Sequence, residues 1–413
     1  MFPIQQAAVI GAGTMGRGIA MCLANAGVPV LWLDANPQML QQGLATVAET
    51  YAHQVRQGRL TVEQAAARQA CIEAVADYPA LAEVDLVIEA VYENLALKQQ
   101  IFRQLDALLK PAALLASNTS ALDIDALAAV TARPQQVLGL HFFSPAHIMK
   151  LLEIVRAAQT APAVLQAALD LGRRMGKVSV IAGNCPGFIG NRMLHPYVHE
   201  ARLLLLEGAL PHEVDAALQA FGFAMGPFRM YDVVGIDLQW RTRELAGLGQ
   251  DAPAVQLDNR LCALGRFGQK VGQGYYRYAP GSRQAEHDPE VDALVLQVAE
   301  HLGFVRRPIG REEILERCLL ALVNEGAKIL EQGMAASSAD IDRVYLNGYG
   351  FPAAQGGPMA WADAQGGEAL RARLQALQAR LGEHWRPAAL IERMALDGSR
   401  LATWNNPAQG CPP

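Results

Sequence analysis

Short apolar runs alternate with segments of helical periodicity across residues 1–183 of the chain. We predict strands at "AAVI", "VPVLWLD", "DLVIEAV", "ALLAS", "VLGLHFF" and "LLEIVR". Strands that alternate with helices in this way predict a parallel sheet with helices on both faces. Ligands of such sheets bind beyond the carboxyl ends of the strands. We therefore expect an α/β domain whose functional residues lie near its strand ends.

The strand pattern fades after residue 183, and long helical patterns replace it. An internal repeat is present, because "FIGNRMLHPYVHEARLLLLEGAL" resembles "EILERCLLALVNEGAKILEQGM". Asn191 of the first copy aligns with Glu316 of the second. We predict two tandem all-α domains, at 184–284 and 285–413, as a duplicated module. The segment "YAPGSRQAEHDPE" reads as the linker between the copies, and the final "NNPAQGCPP" as a poorly ordered tail.

Composition and charge exclude several classes of function. The net charge is −5, from 35 basic and 40 acidic side chains, and no basic stripe favours a nucleic-acid partner. The 6 cysteines lie far apart without a CxxC pair, which fits a reducing compartment. No stretch resembles a signal peptide, a membrane span or a lipidation motif. These features predict a soluble, cytoplasmic protein that binds no membrane.

A glycine motif follows the first predicted strand, in the order Gly11-x-Gly13-x-x-Gly16. Gly11 permits a tight turn, Gly13 lets the backbone approach a pyrophosphate, and Gly16 lets the following helix pack against the strand. The N-terminus of that helix offers free N–H groups to phosphates. Asp34 ends the second predicted strand, where a carboxylate can accept hydrogen bonds from ribose hydroxyls and repels a 2′-phosphate. The motif therefore predicts NAD as cofactor in preference to NADP.

Two ionisable residues, His141 and Glu153, stand inside apolar runs of "GLHFFSPAHIMKLLEIV". Burial of an unpartnered ionisable group costs several kcal/mol. We therefore expect the two side chains to pair with each other or to take part in a reaction. Glu93, Ser120 and His141 all lie at or near predicted strand ends, which favours chemistry. A structural His–Glu pair in the core is the alternative. For Ser120 the alternative is a turn residue, and for Asn191 it is a helix cap.

Several motifs together resemble the L-3-hydroxyacyl-CoA dehydrogenase family. They are "GAGTMGRGIA", "EAVYENLALKQQIF", "SNTS", "GLHFFSPAHIMKLLEIV" and "NCPGFIGNRM". The later segments "LGRFGQKVGQGYYRY" and "VNEGAKILEQGMAASSADIDRVYLNGYGFP" are similar to the dehydrogenase half of bifunctional enoyl-CoA hydratase/3-hydroxyacyl-CoA dehydrogenases. The resemblance extends from Ala7 to about Asp363.

The resemblance implies a Rossmann-type NAD-binding domain followed by the two helical domains. It implies reversible, NAD-dependent oxidation of an L-3-hydroxyacyl-CoA to the 3-ketoacyl-CoA, as in fatty-acid β-oxidation, with a His–Glu pair as general base. The implied catalytic residues are His141, Glu153, Ser120 and Asn191. The implied cofactor-binding residues are Gly11, Gly13, Thr14, Met15, Gly16, Asp34, Ala90, Glu93 and Lys98.

Other polar groups have weaker functional interpretations. His195 and His199 have a spacing that could bind zinc, but the HExxH arrangement is lacking and we expect no metal site. Arg56 and Arg59 could meet a CoA phosphate, although solvated arginines are the simpler interpretation. Lys270 lies in a glycine-rich loop that is near the site in the resembled family, and a flexible turn is the alternative.

Two rival functions stay open at this point. One is oxidation of a non-CoA hydroxy acid on the same scaffold, and the other is a non-catalytic NAD-binding protein. The expected partner is an acyl-CoA thioester, and whether a separate enoyl-CoA hydratase docks on the chain stays open. Because the second helical copy can cover the surface that single-module relatives bury in a dimer, we expect a site that is complete in one chain. Only the first copy is expected to serve the reaction, since the second lacks Asn191.

Overall fold

The computed structural model describes residues 4–246 and 249–404 of the chain, so the predicted tail at 405–413 lies outside the described residues. The described residues form two compact units. The sheet unit consists of residues 4–191 together with Ile329–Tyr349. The helical unit consists of Arg192–Lys328 and Gly350–Trp404. The three-domain division remains a prediction, and the inclusion of Ile329–Tyr349 in the sheet unit was not part of it.

Eight strands form one sheet in the sheet unit. They are β1 (Ala7–Ile10), β2 (Val30–Leu33), β3 (Ile72–Ala74), β4 (Leu86–Glu89), β5 (Leu114–Ser117), β6 (Val137–Phe142), β7 (Leu151–Arg156) and β8 (Val178–Gly183). Their order across the sheet is β3-β2-β1-β4-β5-β6-β7-β8. All of the strands predicted from apolar runs are present, whereas β3 and β8 were not predicted.

The sheet departs from the predicted parallel arrangement at β7. This strand pairs antiparallel with β6, while β7 and β8 pair in parallel. Residues 143–150 connect β6 to β7 without a helix. A short direct connection returns the chain beside the strand it has left, so the pair must be antiparallel. The consequence for the site is that residues on β6 and β7 face each other in register.

Seventeen α-helices account for most of the remaining described residues. They are α1 (Thr14–Asn25), α2 (Pro37–Arg56), α3 (Val62–Ala70), α4 (Leu95–Leu108), α5 (Ile124–Ala128), α6 (Pro162–Arg174), α7 (Gly190–Glu207), α8 (Pro211–Phe221), α9 (Pro227–Val234), α10 (Ile236–Ala246), α11 (Gln256–Ala263), α12 (Pro289–His301), α13 (Arg311–Glu331), α14 (Ser338–Gly348), α15 (Pro358–Gln365), α16 (Gly367–Leu381) and α17 (Ala389–Asp397). None of these helices, as far as residues are described, combines the length and apolar character needed to cross a bilayer.

The core of the sheet unit surrounds the first strands and α1. Residues of β1 and β2 are almost fully buried, and Trp32 of β2 packs within the same hydrophobic cluster as α1. Burial of such apolar side chains contributes about 1.5–3 kcal/mol each. The indole N–H of Trp32 also donates to the carbonyl of Gly11 at 2.9 Å. The core therefore fixes the loop that follows β1.

The helical unit is held partly by buried ion pairs. Arg317 of α13 has no exposed side-chain surface and bonds Glu200 and Glu207 of α7. A buried charge needs such partners, because an uncompensated one is strongly destabilising. Helices α7 and α13 are thus linked to each other within the helical unit.

Candidate active site

The loop after β1 has the geometry that its glycine motif predicts. Gly11 adopts a φ of 108°, and a Cβ atom there would lie 2.6 Å from the carbonyl oxygen of Ala90. A larger residue is therefore excluded at Gly11 by both its backbone conformation and its neighbour. At Gly13 a Cβ atom would meet nothing within 4 Å. The protein itself leaves space beside Gly13, which is the space that a pyrophosphate would need.

The start of α1 fits an anionic group. Its N-cap residue, Gly13, supplies no side-chain hydrogen bond to the helix, and the first turn contains no acidic residue. Thr14 and Met15 begin the helix, and a Cβ atom at Gly16 would lie 1.9 Å from the Gly11 carbonyl oxygen. The close approach at Gly16 brings the helix N-terminus against the loop, where its N–H groups and partial positive charge favour phosphate. The residues present therefore fit NAD.

Asp34 follows β2 and connects the glycine loop to α2. Its Oδ2 atom accepts from the backbone N–H of Ala12 at 2.6 Å, and its Oδ1 atom accepts from that of Asn36 at 2.7 Å. A carboxylate has about four acceptor sites, so both oxygens can still accept from a hydroxyl. The side chain is half-buried at the end of the strand. Its position is consistent with ribose recognition, which remains a prediction.

A buried ion pair lies beyond β4. Lys98 of α4 donates to Glu89 at 2.7 and 3.0 Å, and both side chains are almost completely buried. Glu89 also accepts from the hydroxyl of Ser117 at 2.7 Å. Lys98 lies 3.4 Å from Glu93 as well. The ammonium of Lys98 is thus satisfied largely by protein carboxylates, and a direct contact of Lys98 with the cofactor remains a prediction.

Glu93, Ser120 and Asn191 are brought together. The Oε1 atom of Glu93 accepts from Thr119 Oγ1 at 2.5 Å, and from the N–H and hydroxyl of Ser120 at 3.0 and 3.4 Å. The amide Nδ2 atom of Asn191 donates to the Ser120 carbonyl at 3.4 Å. Ser120 and Asn191 are each half-buried, so both can meet a ligand.

His141 and Glu153 form the pair that the sequence predicts. The two residues are direct partners in the antiparallel register of β6 and β7. The ring Nδ1 atom of His141 lies 2.8 Å from Glu153 Oε2. Within the described residues, no hydrogen bond engages the other ring nitrogen, Nε2. A carboxylate at Nδ1 holds the proton on that nitrogen, so Nε2 has the lone pair that a base requires.

The other oxygen of Glu153 is held by the start of α7. Its Oε1 atom accepts from the backbone N–H groups of Ile189 and Gly190 at 3.2 and 3.0 Å. Phe188, the residue before them, has a φ of 54°. A non-glycine residue in that region is uncommon and costs energy. This turn aims two free N–H groups of a helix terminus at the Glu153 carboxylate, which stabilises its negative charge.

Aromatic rings surround the histidine. The ring of His141 lies 4.4 Å from that of Phe143 and 5.7 Å from that of Phe188, between ring centroids. The His141 side chain is nearly buried, with 7% of its surface exposed. These contacts restrict rotation of the imidazole and limit access of water to it. The arrangement can move a proton at one ring nitrogen while the carboxylate balances the charge at the other.

The remaining candidates have local neighbours of their own. Lys270 belongs to the helical unit, where it pairs with Asp237. Arg56 and Arg59 are exposed at the end of α2 and in the turn after it. The rings of His195 and His199 stack with centroids 6.4 Å apart. The functional interpretations of these residues remain predictions.

A set of possible metal ligands is present that the sequence did not indicate. Among the described residues, His212, His287 and Asp292 place one ligand atom each within 4.8 Å of the others. His287 Nε2 and Asp292 Oδ2 are already 2.7 Å apart, which is an ordinary hydrogen bond. The set lies in the helical unit and shares no residue with the predicted site.

Sequence reasoning missed three residues that shape the site: Glu89, Thr119 and Phe188. Glu89 carried a usable signal, because it is a carboxylate at the end of an apolar strand, as His141 is a histidine within one. Thr119 belongs to the "SNTS" motif, but its hydrogen bond to Glu93 depends on a residue that is distant in sequence. The unusual backbone of Phe188 has no local signal beyond the glycine before it.

Comparison with known families places this geometry in context. Residues 6–185 match the profile described as "3-hydroxyacyl-CoA dehydrogenase, NAD binding domain". Residues 187–278 and 314–402 match "3-hydroxyacyl-CoA dehydrogenase, C-terminal domain". The chain belongs to the 3-hydroxyacyl-CoA dehydrogenase family. The resemblance noted in the motifs is thereby confirmed, as is the Rossmann-type NAD-binding domain with a helical C-terminal part.

Individual members of this family match over most of the chain. The peroxisomal bifunctional enzyme of Danio rerio is 45% identical over 96% of this chain and 57% of its own length. The human peroxisomal bifunctional enzyme is 42% identical over 90% of this chain and 53% of its own length. The chain thus spans somewhat more than half the length of these relatives.

Solved structures agree with the fold. The 3-hydroxybutyryl-CoA dehydrogenase of Escherichia coli K12 superposes with a TM-score of 0.82 at 29% identity, over 95% of this chain and 98% of that one. The dehydrogenase part of multifunctional enzyme 1 from C. elegans gives a TM-score of 0.69 at 28% identity, over 95% and 89% of the two chains.

The expected cytoplasmic localisation is wrong. The relatives from Danio rerio, human and Brassica napus that match over most of the chain are named peroxisomal or glyoxysomal enzymes. Composition, net charge and cysteine spacing report on solubility and redox environment, and a reducing environment is not specific to one compartment. Organelle addresses are short motifs read by receptors, so bulk properties of a chain do not reveal them.

Proposed function

We propose that this chain catalyses the reversible, NAD-dependent oxidation of L-3-hydroxyacyl-CoA thioesters to 3-ketoacyl-CoA thioesters. The observation that carries the proposal is the His141–Glu153 pair, with its 2.8 Å contact at Nδ1 and an Nε2 atom that no hydrogen bond from the described part of the chain engages. Family membership supplies the substrate class, because the matched solved structure from Escherichia coli is a 3-hydroxybutyryl-CoA dehydrogenase.

His141 acts as the general base in the proposed oxidation. Its Nε2 atom takes the proton of the 3-hydroxyl group, and the imidazolium that forms is stabilised by Glu153 across the strand pair. Two backbone N–H groups hold Glu153, so it keeps its orientation and its charge during the transfer. This is the orienting role that a carboxylate has beside histidine in a catalytic triad, here without a nucleophile. In reduction of the ketone, the same histidine returns the proton.

The cofactor is held by the loop after β1 and by the start of α1. We propose that Gly13, Thr14 and Met15 contact the pyrophosphate, while Asp34 accepts from the ribose hydroxyls. The space at Gly13 and the uncapped helix terminus support this assignment. Ala90, Glu93 and Lys98 complete the proposed cofactor contacts near the end of β4. NAD, when bound, supplies the acceptor for the hydride that leaves C3 of the substrate.

Ser120 and Asn191 bind the reacting part of the substrate in this proposal. Ser120 offers a hydroxyl to the substrate oxygen at C3, and its present partner, Glu93, is a weak one at 3.4 Å. Asn191 offers an amide N–H to the 3-oxygen or to the thioester carbonyl. Hydrogen bonds of this kind position the alcohol so that proton and hydride can leave together.

We also propose that the helical part is a duplicated module and that one chain contains a complete site. The repeat in the sequence and the two segments that match the same C-terminal domain profile support a duplication. Light scattering together with dilution assays tests the second point. A monomer with full activity is expected, whereas activity lost on dilution together with dissociation of a dimer would contradict it. A separate enoyl-CoA hydratase is the partner expected for a dehydrogenase of this class.

The reaction is tested by NADH consumption with acetoacetyl-CoA. Parallel reactions replace NADH by NADPH, and acetoacetyl-CoA by free acetoacetate. Rapid turnover with NADH and the thioester alone is the expected result. Turnover with the free acid would instead indicate a non-CoA hydroxy acid as substrate. Absence of turnover with both, combined with NADH binding measured by fluorescence, would indicate a non-catalytic NAD-binding protein.

A further inference from the structure

The segment Ile329–Tyr349 comes from the second half of the chain but belongs to the sheet unit. Its Met334 carbonyl accepts from the Gly183 N–H at 2.7 Å, and Ala335 forms an antiparallel bridge with Ala182 at the end of β8. Helix α14 follows, and a Cβ atom at Gly348 would lie 2.4 Å from Leu151 of β7. The segment is therefore packed closely against the same strand that carries Glu153.

Tyr349, the residue after α14, is fixed among aromatic side chains. Its ring stacks on that of Tyr345 with centroids 4.8 Å apart, and it meets Phe143 edge-on at 5.6 Å. A Cβ atom at Gly190 would lie 2.4 Å from the Tyr349 ring. Phe143 is the residue whose ring packs on His141. Tyr349 thus lies one side chain away from the proposed base, with little room to move.

The hydroxyl of Tyr349 donates to Asn191 Oδ1 at 2.8 Å. On the other side, Asn191 faces the carbonyl of Ser120 at 3.4 Å. A backbone carbonyl can only accept, so the amide nitrogen must be the atom on the Ser120 side. The tyrosine hydroxyl then stabilises this orientation from the oxygen side. The arrangement defines which end of the Asn191 amide is the donor.

We infer that Tyr349 is a positioning residue for the reaction, acting through Asn191, and this inference rests on the proposed function. The terminal torsion of asparagine is broad and roughly two-fold, so an unheld amide can rotate and present its oxygen where its N–H is needed. An oxygen in that place repels the substrate oxygen instead of binding it. Tyr349 holds the amide so that one N–H of Nδ2 stays directed to the substrate.

This inference gives the second helical segment a role in the site. Tyr349 lies within residues 314–402, the second segment that matches the C-terminal domain profile. The sequence favoured a reaction served by the first copy alone, because Glu316 replaces the asparagine in the repeat. The contact with Asn191 indicates that each copy supplies one member of a hydrogen-bonded pair.

Tyr349→Phe tests the inference, because it removes the hydroxyl and keeps the ring packing. We expect kcat with acetoacetyl-CoA and NADH to fall about tenfold, as for loss of one hydrogen bond in the transition state. The KM for NADH and the melting temperature should stay close to wild type. In an Asn191→Ala background, the same substitution should cost almost nothing further, because the two residues act as one unit.

Tyr345→Phe is the matched control. It removes a hydroxyl from the stacked neighbour, which donates to the Gly190 carbonyl at 3.1 Å and not to the Asn191 side chain. Its kcat should remain within about twofold of wild type. Equal losses in the two variants, or a Tyr349→Phe loss that adds fully to that of Asn191→Ala, would overturn the inference.

A second readout does not depend on turnover. In protein labelled with ¹⁵N-asparagine, the side-chain signal of Asn191 is identified by its absence in Asn191→Ala. We expect this signal to shift in Tyr349→Phe and to stay in place in Tyr345→Phe. An unchanged signal would overturn the positioning role. If the wild-type protein does not reduce acetoacetyl-CoA but the Asn191 signal still shifts in Tyr349→Phe, the proposed function is wrong. The positioning of Asn191 by Tyr349 is then still supported.

Discussion

His141 and Glu153 face each other across the antiparallel strand pair of β6 and β7, and their side chains meet at 2.8 Å between Nδ1 and Oε2. The direct register makes this contact a property of the backbone, because opposite residues in such a pair have their Cβ atoms about 5 Å apart. The contact between the histidine and the carboxylate therefore does not depend on the conformation of a flexible loop.

Replacement of the histidine tests the general base. In His141→Ala, we expect kcat to fall by a factor on the order of 10² to 10⁴, because proton transfer by a positioned side chain typically contributes that much. NADH binding, measured by fluorescence titration, should be unchanged. His53→Ala, at an exposed position of α2, is a suitable control. Turnover within a few-fold of wild type would show that another group takes the proton.

Glu153→Gln tests the role of the carboxylate. The Ile189 and Gly190 N–H groups require an acceptor, so the amide oxygen should face them and the NH₂ group should face His141. That arrangement forces the histidine proton onto Nε2 and removes the lone pair of the base. We expect a loss in kcat on the order of 10² or more, as when a triad carboxylate becomes an amide. Stopped-flow reduction of acetoacetyl-CoA measures it, and a near-normal rate would mean that the carboxylate is only structural.

Asp34→Ala tests ribose recognition. Loss of hydrogen bonds to a charged acceptor costs about 1.5–3 kcal/mol, so the KM for NADH should rise about 10- to 100-fold at nearly constant kcat. Discrimination against NADPH should weaken at the same time, because the negative charge is gone. The KM values for both cofactors, determined side by side, check these two effects. An unchanged KM for NADH would remove Asp34 from the ribose site.

Gly13→Ala separates cofactor binding from folding. Apart from the adjacent residues of the chain, a methyl group at this position meets no atom of the described residues within 4 Å, so the melting temperature should not change. It would occupy the space proposed for the pyrophosphate, and we expect NADH affinity to fall at least about tenfold. Gly310→Ala, where a Cβ atom is equally uncontacted, is the matched control. Equal NADH affinity in both variants would contradict the proposed position of the cofactor.

His199 should make the helical unit sensitive to acid. Burial, as the largest cause, and the electrostatic influence of neighbouring groups together lower the pKa of His199 to about 4. Those neighbours are His195, His384, Arg202 and Arg317. An unfolded histidine titrates near 6.5, so between pH 6.5 and 4 the unfolded chain binds a proton that the folded chain does not. Stability is therefore present above pH 6.5 and is lost as the pH falls.

In His199→Gln this source of acid sensitivity is removed. The drop in melting temperature between pH 7 and pH 5 should be smaller than in wild type, and His53→Gln should show the wild-type drop. Differential scanning calorimetry at the two pH values provides the comparison. An identical drop in His199→Gln and wild type would mean that the buried histidine does not couple proton uptake to unfolding.

The sequence predicted what depends on local pattern. The strands around the glycine loop and the buried runs of β6 and β7 follow from their apolar residues, and the His141–Glu153 pair follows from polar groups within those runs. The three-residue strand β3 is too short to give a periodic signal. Strand β8, "VSVIAG", gives only a weak strand signal, because it ends in the two small residues Ala182 and Gly183.

Contacts between distant parts of the chain could not be predicted in the same way. The hydrogen bond from Tyr349 to Asn191 joins residues 158 positions apart. No spacing rule connects them, because the contact arises only when α14 packs against β7. The antiparallel direction of β7 was also not predicted. The general alternation of strands and helices does not show that the connection between β6 and β7 lacks a helix.

The position of Ile329–Tyr349 has a consequence for shortened forms of the chain. A polypeptide that ended after the first helical segment would lack the partner of the Gly183 N–H and the helix beside β7. An uncovered strand edge invites pairing with other chains. Removal of the second segment would therefore expose the edge of the sheet unit, and a gene truncated between the two segments should yield an aggregating protein instead of a smaller folded one.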